Sequence, residues 1–229
     1  MNTIRNLTSI AVTGVIAVLV AGCGPTALPV HAEVEWEGTN TGKFEDDPRV
    51  QIVRDYVVQK YAADNSFNYS DPALAQTATD ATALSIARAT ASFIRQSPVD
   101  SATLWEGPPS FTVTDVVQRE RQEQMFEVRV CQRLAPRWTL AVGDTFEEGK
   151  IQERDGAYRI EEEHFVEREY WLWDSPDGWR VDGGGESTQE CEPTDDFAVG
   201  TYTTPPDIDL LREATPDMVI GPDGKRVDD

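Results

Sequence analysis

Two Asp-Pro pairs, Asp47-Pro48 and Asp71-Pro72, head the two long stretches of this sequence with helical periodicity. An aspartate carboxylate accepts from the open N–H groups of a first turn. Proline suits the first helical position because its φ is already helical and the N–H it lacks has no partner there. After Asp47, the residues Val50, Val53, Val57 and Tyr61 recur on one face, with Arg54 and Asp55 opposite. After Asp71 an alanine-rich helical region runs to about Gln96, interrupted near Asp80, with Leu84, Ala87, Ala91 and Ile94 as its packing face. "SPVDSATLWEGPP" then stops helix formation.

From there the periodicity falls to two. "FTVTDVV" and "QMFEVRVCQR" flank the polar "RERQE" and read as a hairpin. In the second strand Phe126, Val128 and Val130 share one face, which leaves Glu127, Arg129 and Cys131 on the more polar side. Residues 135–157 read as a loop. A long strand "YRIEEEHFVEREYWLWD" follows, then a turn "SPDG" and a short partner "WRVDG". Trp171 and Trp173 share a face with Phe165, and that face is expected against the helices. Past Cys191 the chain is turn-rich and acidic, with one short helical candidate at "DIDLLREA". Helices first and antiparallel strands after imply an α+β domain, its N-terminal helices packed on a curved antiparallel sheet. Residues 47–191 are long enough for one domain with its own core. Residues 192–229 are expected to form a mostly irregular tail.

The first residues concern location. Arg5 precedes an uncharged apolar run, Ile10 to Gly22, too short to span a bilayer and of signal-peptide length. The run ends Val20-Ala21-Gly22-Cys23, which resembles a bacterial lipobox. That resemblance implies a signal peptide over residues 1–22 and a Cys23 that carries diacylglycerol and acyl chains such as palmitate. Two or three chains anchor stably where one does not, at about 0.8 kcal/mol per buried methylene. Val30-His31-Ala32 offers a second cleavage site that would release a lipid-free protein, and an uncleaved segment is the third outcome. Residues 23–46, rich in Gly, Pro and acids, are expected to be a flexible tether spanning roughly 25–30 Å. The expected location is therefore outside the cytoplasm, on the outer face of the cell membrane.

Charge narrows the partners. The chain carries a formal −21, and losing residues 1–22 removes one arginine and no acid, giving −22. Nucleic-acid binding rests on lysine and arginine neutralising phosphates, so it is disfavoured, as is electrostatic adsorption to an anionic membrane. The membrane is reached through lipid. Cys131 and Cys191 remain as an even pair, which in an oxidising compartment reads as a disulfide.

"FEVRVCQRL", a variable loop, then "REYWLWDSPDGWRVDGGG" and a final cysteine together resemble exported actinobacterial proteins of the nuclear transport factor 2-like superfamily. Gly178-Trp179-Arg180-Val181 match the closing motif of those domains. The resemblance covers residues 47–191 and implies a cone-like domain enclosing a pocket. Such folds serve enzymes, carriers and adaptors alike, so it transfers no activity.

Catalytic constellations are hard to assemble. The mature chain has only His31 and His164 as candidate bases. His164, Arg168, Tyr170 and Glu162 fall on one strand face and are the candidate pocket-lining residues. A half-exposed strand with an ordinary cross-strand ion pair is the commoner origin of such a set. No His/Cys cluster has zinc spacing, "DSPDG" and "GPDGK" lack the alternating oxygens of a calcium loop, and no cofactor is expected. The expectation is a non-enzymatic envelope binding or accessory protein whose partner is another envelope protein or a small apolar ligand. A pocket-using enzyme or carrier of the same fold is the alternative, as is a prophage-type surface protein that blocks phage entry.

Overall fold

The computed structural model describes residues 27–96, 102–119, 124–140, 151–161 and 164–227. Helix α1 (Pro48–Ser66) starts where Asp47 accepts from the Arg49 N–H at 2.9 Å. Helix α2 (Pro72–Thr77) starts where Asp71 accepts from the Ala73 N–H at 2.7 Å. Helix α3 (Asp80–Gln96) follows after a break at Ala78-Thr79, as the interruption near Asp80 predicts. The break is put to use: Thr79 donates its N–H to the Val181 carbonyl at 2.9 Å and its hydroxyl to Asp182 at 2.8 Å, pinning the helices to the sheet.

That sheet has four antiparallel strands in the order β3 (Ser110–Gln118), β4 (Met125–Arg133), β8 (Phe165–Ser175) and β9 (Gly178–Glu190). A second antiparallel sheet runs β2 (Thr103–Trp105), β5 (Arg137–Thr139), β7 (Ala157–Ile160) and β6 (Ile151–Arg154). A two-stranded ribbon pairs β1 (Val34–Glu37) with β10 (Val199–Tyr202). A short helix α4 (Leu210–Glu213) precedes a 3₁₀ turn at Pro216–Met218. The architecture is α+β.

The core lies between helices and large sheet. Val50, Val53 and Val57 of α1 and Ala87, Ala91 and Ile94 of α3 belong to one buried cluster with Val128, Val130, Leu172 and Val181. A fully buried Val or Leu contributes about 1.5–3 kcal/mol, and the alanines let α3 approach the strands closely. Bulges at Thr114 in β3 and Asp182 in β9 interrupt the register and bend the sheet. Cys131 and Cys191 form a disulfide across 60 positions, with Cα atoms 5.8 Å apart. In the chain-entropy account a loop of that length stabilises by roughly 4 kcal/mol.

Several expectations give way. The single strand from Tyr158 to Asp174 is two strands in different sheets, because β5 and β6 take Ala157–Ile160 as their partner. Residues 135–157, expected as loop, contribute those two strands. The partner of β8 runs thirteen residues, not five. The helix-facing side of β8 is also the opposite one. Register sets Tyr170 against Val128 and Leu172 against Phe126, so these two follow the valines inward. Trp171 and Trp173 face out beside Glu127 and Met125, with the Arg119 guanidinium 4.8 Å from a Trp171 ring centre.

Order also extends beyond both expected ends. Within the segment expected as a tether, Val34–Glu37 form a strand, and Val30, Ala32 and Phe44 pack on the core. In the expected tail, Leu211, Val219 and Ile220 are buried, and the Ile220 carbonyl accepts from Tyr69 N–H at 2.9 Å. Scattered apolar residues among acids carry no periodicity, yet each fills a gap that the helices leave open.

At one place two backbones cross almost in contact. A Cβ built on Gly107 would lie 2.0 Å from the Gly200 carbonyl oxygen, which no backbone tolerates. Gly107→Ala is expected to push β10 off β2 and cost ~2–3 kcal/mol in denaturant unfolding. An unfolding midpoint equal to the parent's would show that the crossing is loose.

Candidate functional site

Helix α1 carries a polar stripe, Tyr56, Lys60 and Asp64, four residues apart and so stacked on one edge of the helix beside its apolar face. Opposite it, the inner face of β8 presents Arg168 and Tyr170. Between them and α3 lies a groove of about 760 Å³. Its floor is backbone: Gly184 fits because a Cβ there would stand 2.5 Å from the Glu169 carbonyl oxygen. Its far wall is the side chains of α3, among them Ser85 and Ile86. A smaller recess of about 350 Å³ also includes Arg168 and reaches the Thr114 bulge.

The polar groups are tied to one another. Arg168 Nη2 donates to Glu186 Oε1 at 2.8 Å, and Lys60 Nζ to Asp64 Oδ2 at 2.7 Å while lying 3.9 Å from the Tyr61 ring centre. Tyr170 donates its hydroxyl to Gln132 Oε1 at 2.6 Å and meets the Tyr56 ring edge-on at 6.0 Å. Of the groove's lining residues, Arg168 Nε and Trp171 Nε1 are buried donors without a hydrogen-bond partner among the described residues, and Gln132 Nε2 is a third, fully buried behind Tyr170. Buried donors without partners are costly, so they are the places where a ligand's acceptor gains most.

Burial pushes the Tyr170 hydroxyl well above the usual phenol range, reinforced by Tyr61, while the Arg168 cation pulls the other way. Tyr56 is raised chiefly by burial, with Lys60 and Arg168 opposing. For Lys60, burial disfavours the charge, but Asp64 and the neighbouring tyrosines outweigh it and hold the ammonium protonated. Arg168 is held charged likewise, burial being offset by Tyr61, Tyr170 and Glu186. The arrangement is thus a set of neutral phenols and two compensated cations. It offers hydrogen bonds and aromatic walls; Glu186 and Asp64 are engaged with those cations, and Asp182 accepts from the Thr79 hydroxyl.

Of the residues singled out in the sequence, the fold brings Arg168 and Tyr170 together. His164 lies exposed just ahead of β8 and does not line the groove. Glu162 and Cys23 lie outside the described residues. Tyr56, Lys60, Gln132 and Glu186 were missed. The four-residue spacing of Tyr56, Lys60 and Asp64 was the available signal, masked by the stronger valine stripe beside it. Among the described residues no three His, Cys, Asp or Glu side chains converge as metal ligands, and no helix is long and apolar enough to cross a membrane. No protein-family model, curated protein or solved structure matches the chain.

The tyrosines give the site a pH signature. Tyr56, Tyr69, Tyr170 and Tyr202 are all raised, burial being the largest cause in each. Unfolded phenols ionise near pH 10, so above that value the folded state holds more protons than the unfolded one. The stabilisation is fully present below about pH 10 and is lost as pH climbs towards the folded values. Unfolding midpoints should therefore fall steeply above that pH, and phenolate absorbance of the native protein should lag behind that of the denatured chain. Superimposable titrations would refute the burial of these hydroxyls.

Proposed function

We propose that this chain is a lipid-anchored, extracytoplasmic binding protein of the bacterial cell envelope, with its ligand taken by the groove between α1, α3 and β8. In this proposal residues 1–22 are a signal peptide, Cys23 is the lipidated first residue, and the described domain is the cone-like fold that the closing Gly178–Val181 motif suggests. The observation that carries it is the use of the three cysteines. Cys131 and Cys191 are joined, which suits an oxidising compartment, and the remaining cysteine follows the apolar run. The role is binding or accessory rather than catalytic, because Tyr170 and Arg168 are hydrogen-bonding groups whose protonation is fixed near neutral pH.

A carrier or enzyme of the same fold is the second reading, favoured by the unpartnered Arg168 Nε and Trp171 Nε1 of the groove lining. A ligand with an acceptor oxygen beside an apolar or aromatic body suits these donors and the tyrosine walls.

Cys23→Ala is expected to abolish incorporation of labelled fatty acid and to move the protein from the membrane fraction to the soluble one; undiminished membrane retention would contradict the anchor. Native mass spectrometry of the full protein, extracted from envelopes in mild detergent, should show a small-molecule adduct that Arg168→Leu loses. A bare mass for the parent would turn the search to protein partners.

A further inference from the structure

The anchor and the domain are closer together than a long tether allows. Asn68, buried at 8% exposure, donates Nδ2 to the Leu28 carbonyl at 2.8 Å. Val30, Ala32 and Val34 then pack on the core and β1 enters its ribbon. The chain is held from Leu28 onward. Five residue steps separate Cys23 from Leu28, and a polypeptide spans at most ~3.3–3.6 Å per residue, so the reach is about 17 Å whatever its conformation. The headgroup layer takes roughly 5–8 Å of that. What is left, about 10 Å, is less than the ~16 Å radius of gyration of a 200-residue domain.

We propose that the face around Leu28 rests on the outer leaflet of the membrane. This rests on the lipid-anchor reading above. The contact is a groove of about 240 Å³ whose apolar lining is Leu28, Pro29, Ala62, Pro205, Pro206 and Leu210, beside the polar Asn65, Ser66 and Thr204, seated at the boundary between headgroups and acyl chains.

Charge selects this face. An anionic leaflet repels an acidic chain, and the groove beside Arg168 includes Glu169, Asp182 and Glu186 in its lining. The Leu28 groove carries a single carboxylate, Asp207, and the imidazole of His31. Leu28, from which the chain is held, lines it. Helix α1 fixes the orientation of the rest. Ala62, near its C-terminal end, lines the groove, while Arg49, in its first turn, stacks 4.2 Å from the Phe126 ring centre, which meets Trp179 at 5.2 Å. Thirteen residues at 1.5 Å rise put about 20 Å between these ends, so the turn between β8 and β9 points away from the membrane.

The test uses the full lipidated protein in vesicles of phosphatidylcholine with a minor fraction of phosphatidylglycerol and doxyl-labelled lipid. An environment-sensitive fluorophore is placed by Pro205→Cys or, as the distant reference, by Asp177→Cys. Thr204→Cys replaces the first if it fails to fold. Mass spectrometry first confirms the lipid on Cys23. The probe at position 205 should be quenched about threefold or more beyond the probe at 177, as burial at the headgroup boundary requires. Equal, weak quenching of both in confirmed lipoprotein would overturn membrane docking while leaving the anchor intact. Absence of lipid on Cys23 would overturn both.

Discussion

The contact of α1 with the inner face of the four-stranded sheet is what the rest of the structure depends on. Val50, Val53 and Val57 cover Val128, Val130 and Leu172, and all six are buried. Once this face is committed, the two-residue period of β8 leaves no choice: Tyr170 and Leu172 go in and Trp171 and Trp173 go out. The sheet's outer face then carries charge, with Arg129 reaching Glu127 at 2.6 Å and Asp115 at 3.9 Å. The disulfide belongs to that same outer side. It ties Cys191, just past the end of β9, back to a fully buried Cys131 in β4.

The groove is what that packing leaves behind. Alanines make α3 slim, and the glycines of β9 present backbone where side chains would otherwise fill the space. Arg168 is drawn inside by register, since it lies opposite Val130, and its charge is compensated by Glu186 at the rim. An arginine in such a position carries a desolvation cost, offset here by its pairing with Glu186. Tyr56 and Tyr170, forced to remain neutral by burial, give the same walls an apolar body and a hydrogen-bonding tip.

The smaller sheet shows the same economy of charge. Glu106 accepts from Arg159 Nε at 2.7 Å and from the Trp138 indole at 2.9 Å, so one carboxylate fastens β2 to both β5 and β7. The ribbon of β1 and β10 is secured to this unit by Tyr202, whose N–H reaches the Glu106 carbonyl at 2.8 Å and whose hydroxyl reaches Val58 of α1 at 2.7 Å. Residues 34–37 and 199–202 thereby become part of the domain. That is also why the first described residues are held so close to the proposed anchor.

By itself the sequence determined the local structure. Asp47-Pro48 and Asp71-Pro72 start helices wherever they stand, alternation makes β3 and β4 a hairpin, and the two downstream cysteines are placed to pair. The caps and the alternation act within one turn or one strand, and the cysteine pairing follows from two cysteines being left after the first. Only the tertiary structure decided which face of β8 turns inward, that Tyr158 and Tyr170 belong to different sheets, and that residues 30–46 and 198–220 are packed rather than loose. It alone brought Lys60 and Tyr56 opposite Arg168. Burial is a property of pairs of surfaces: β8 is apolar on both sides, and the valines of β4 break the tie through register, which no single segment encodes.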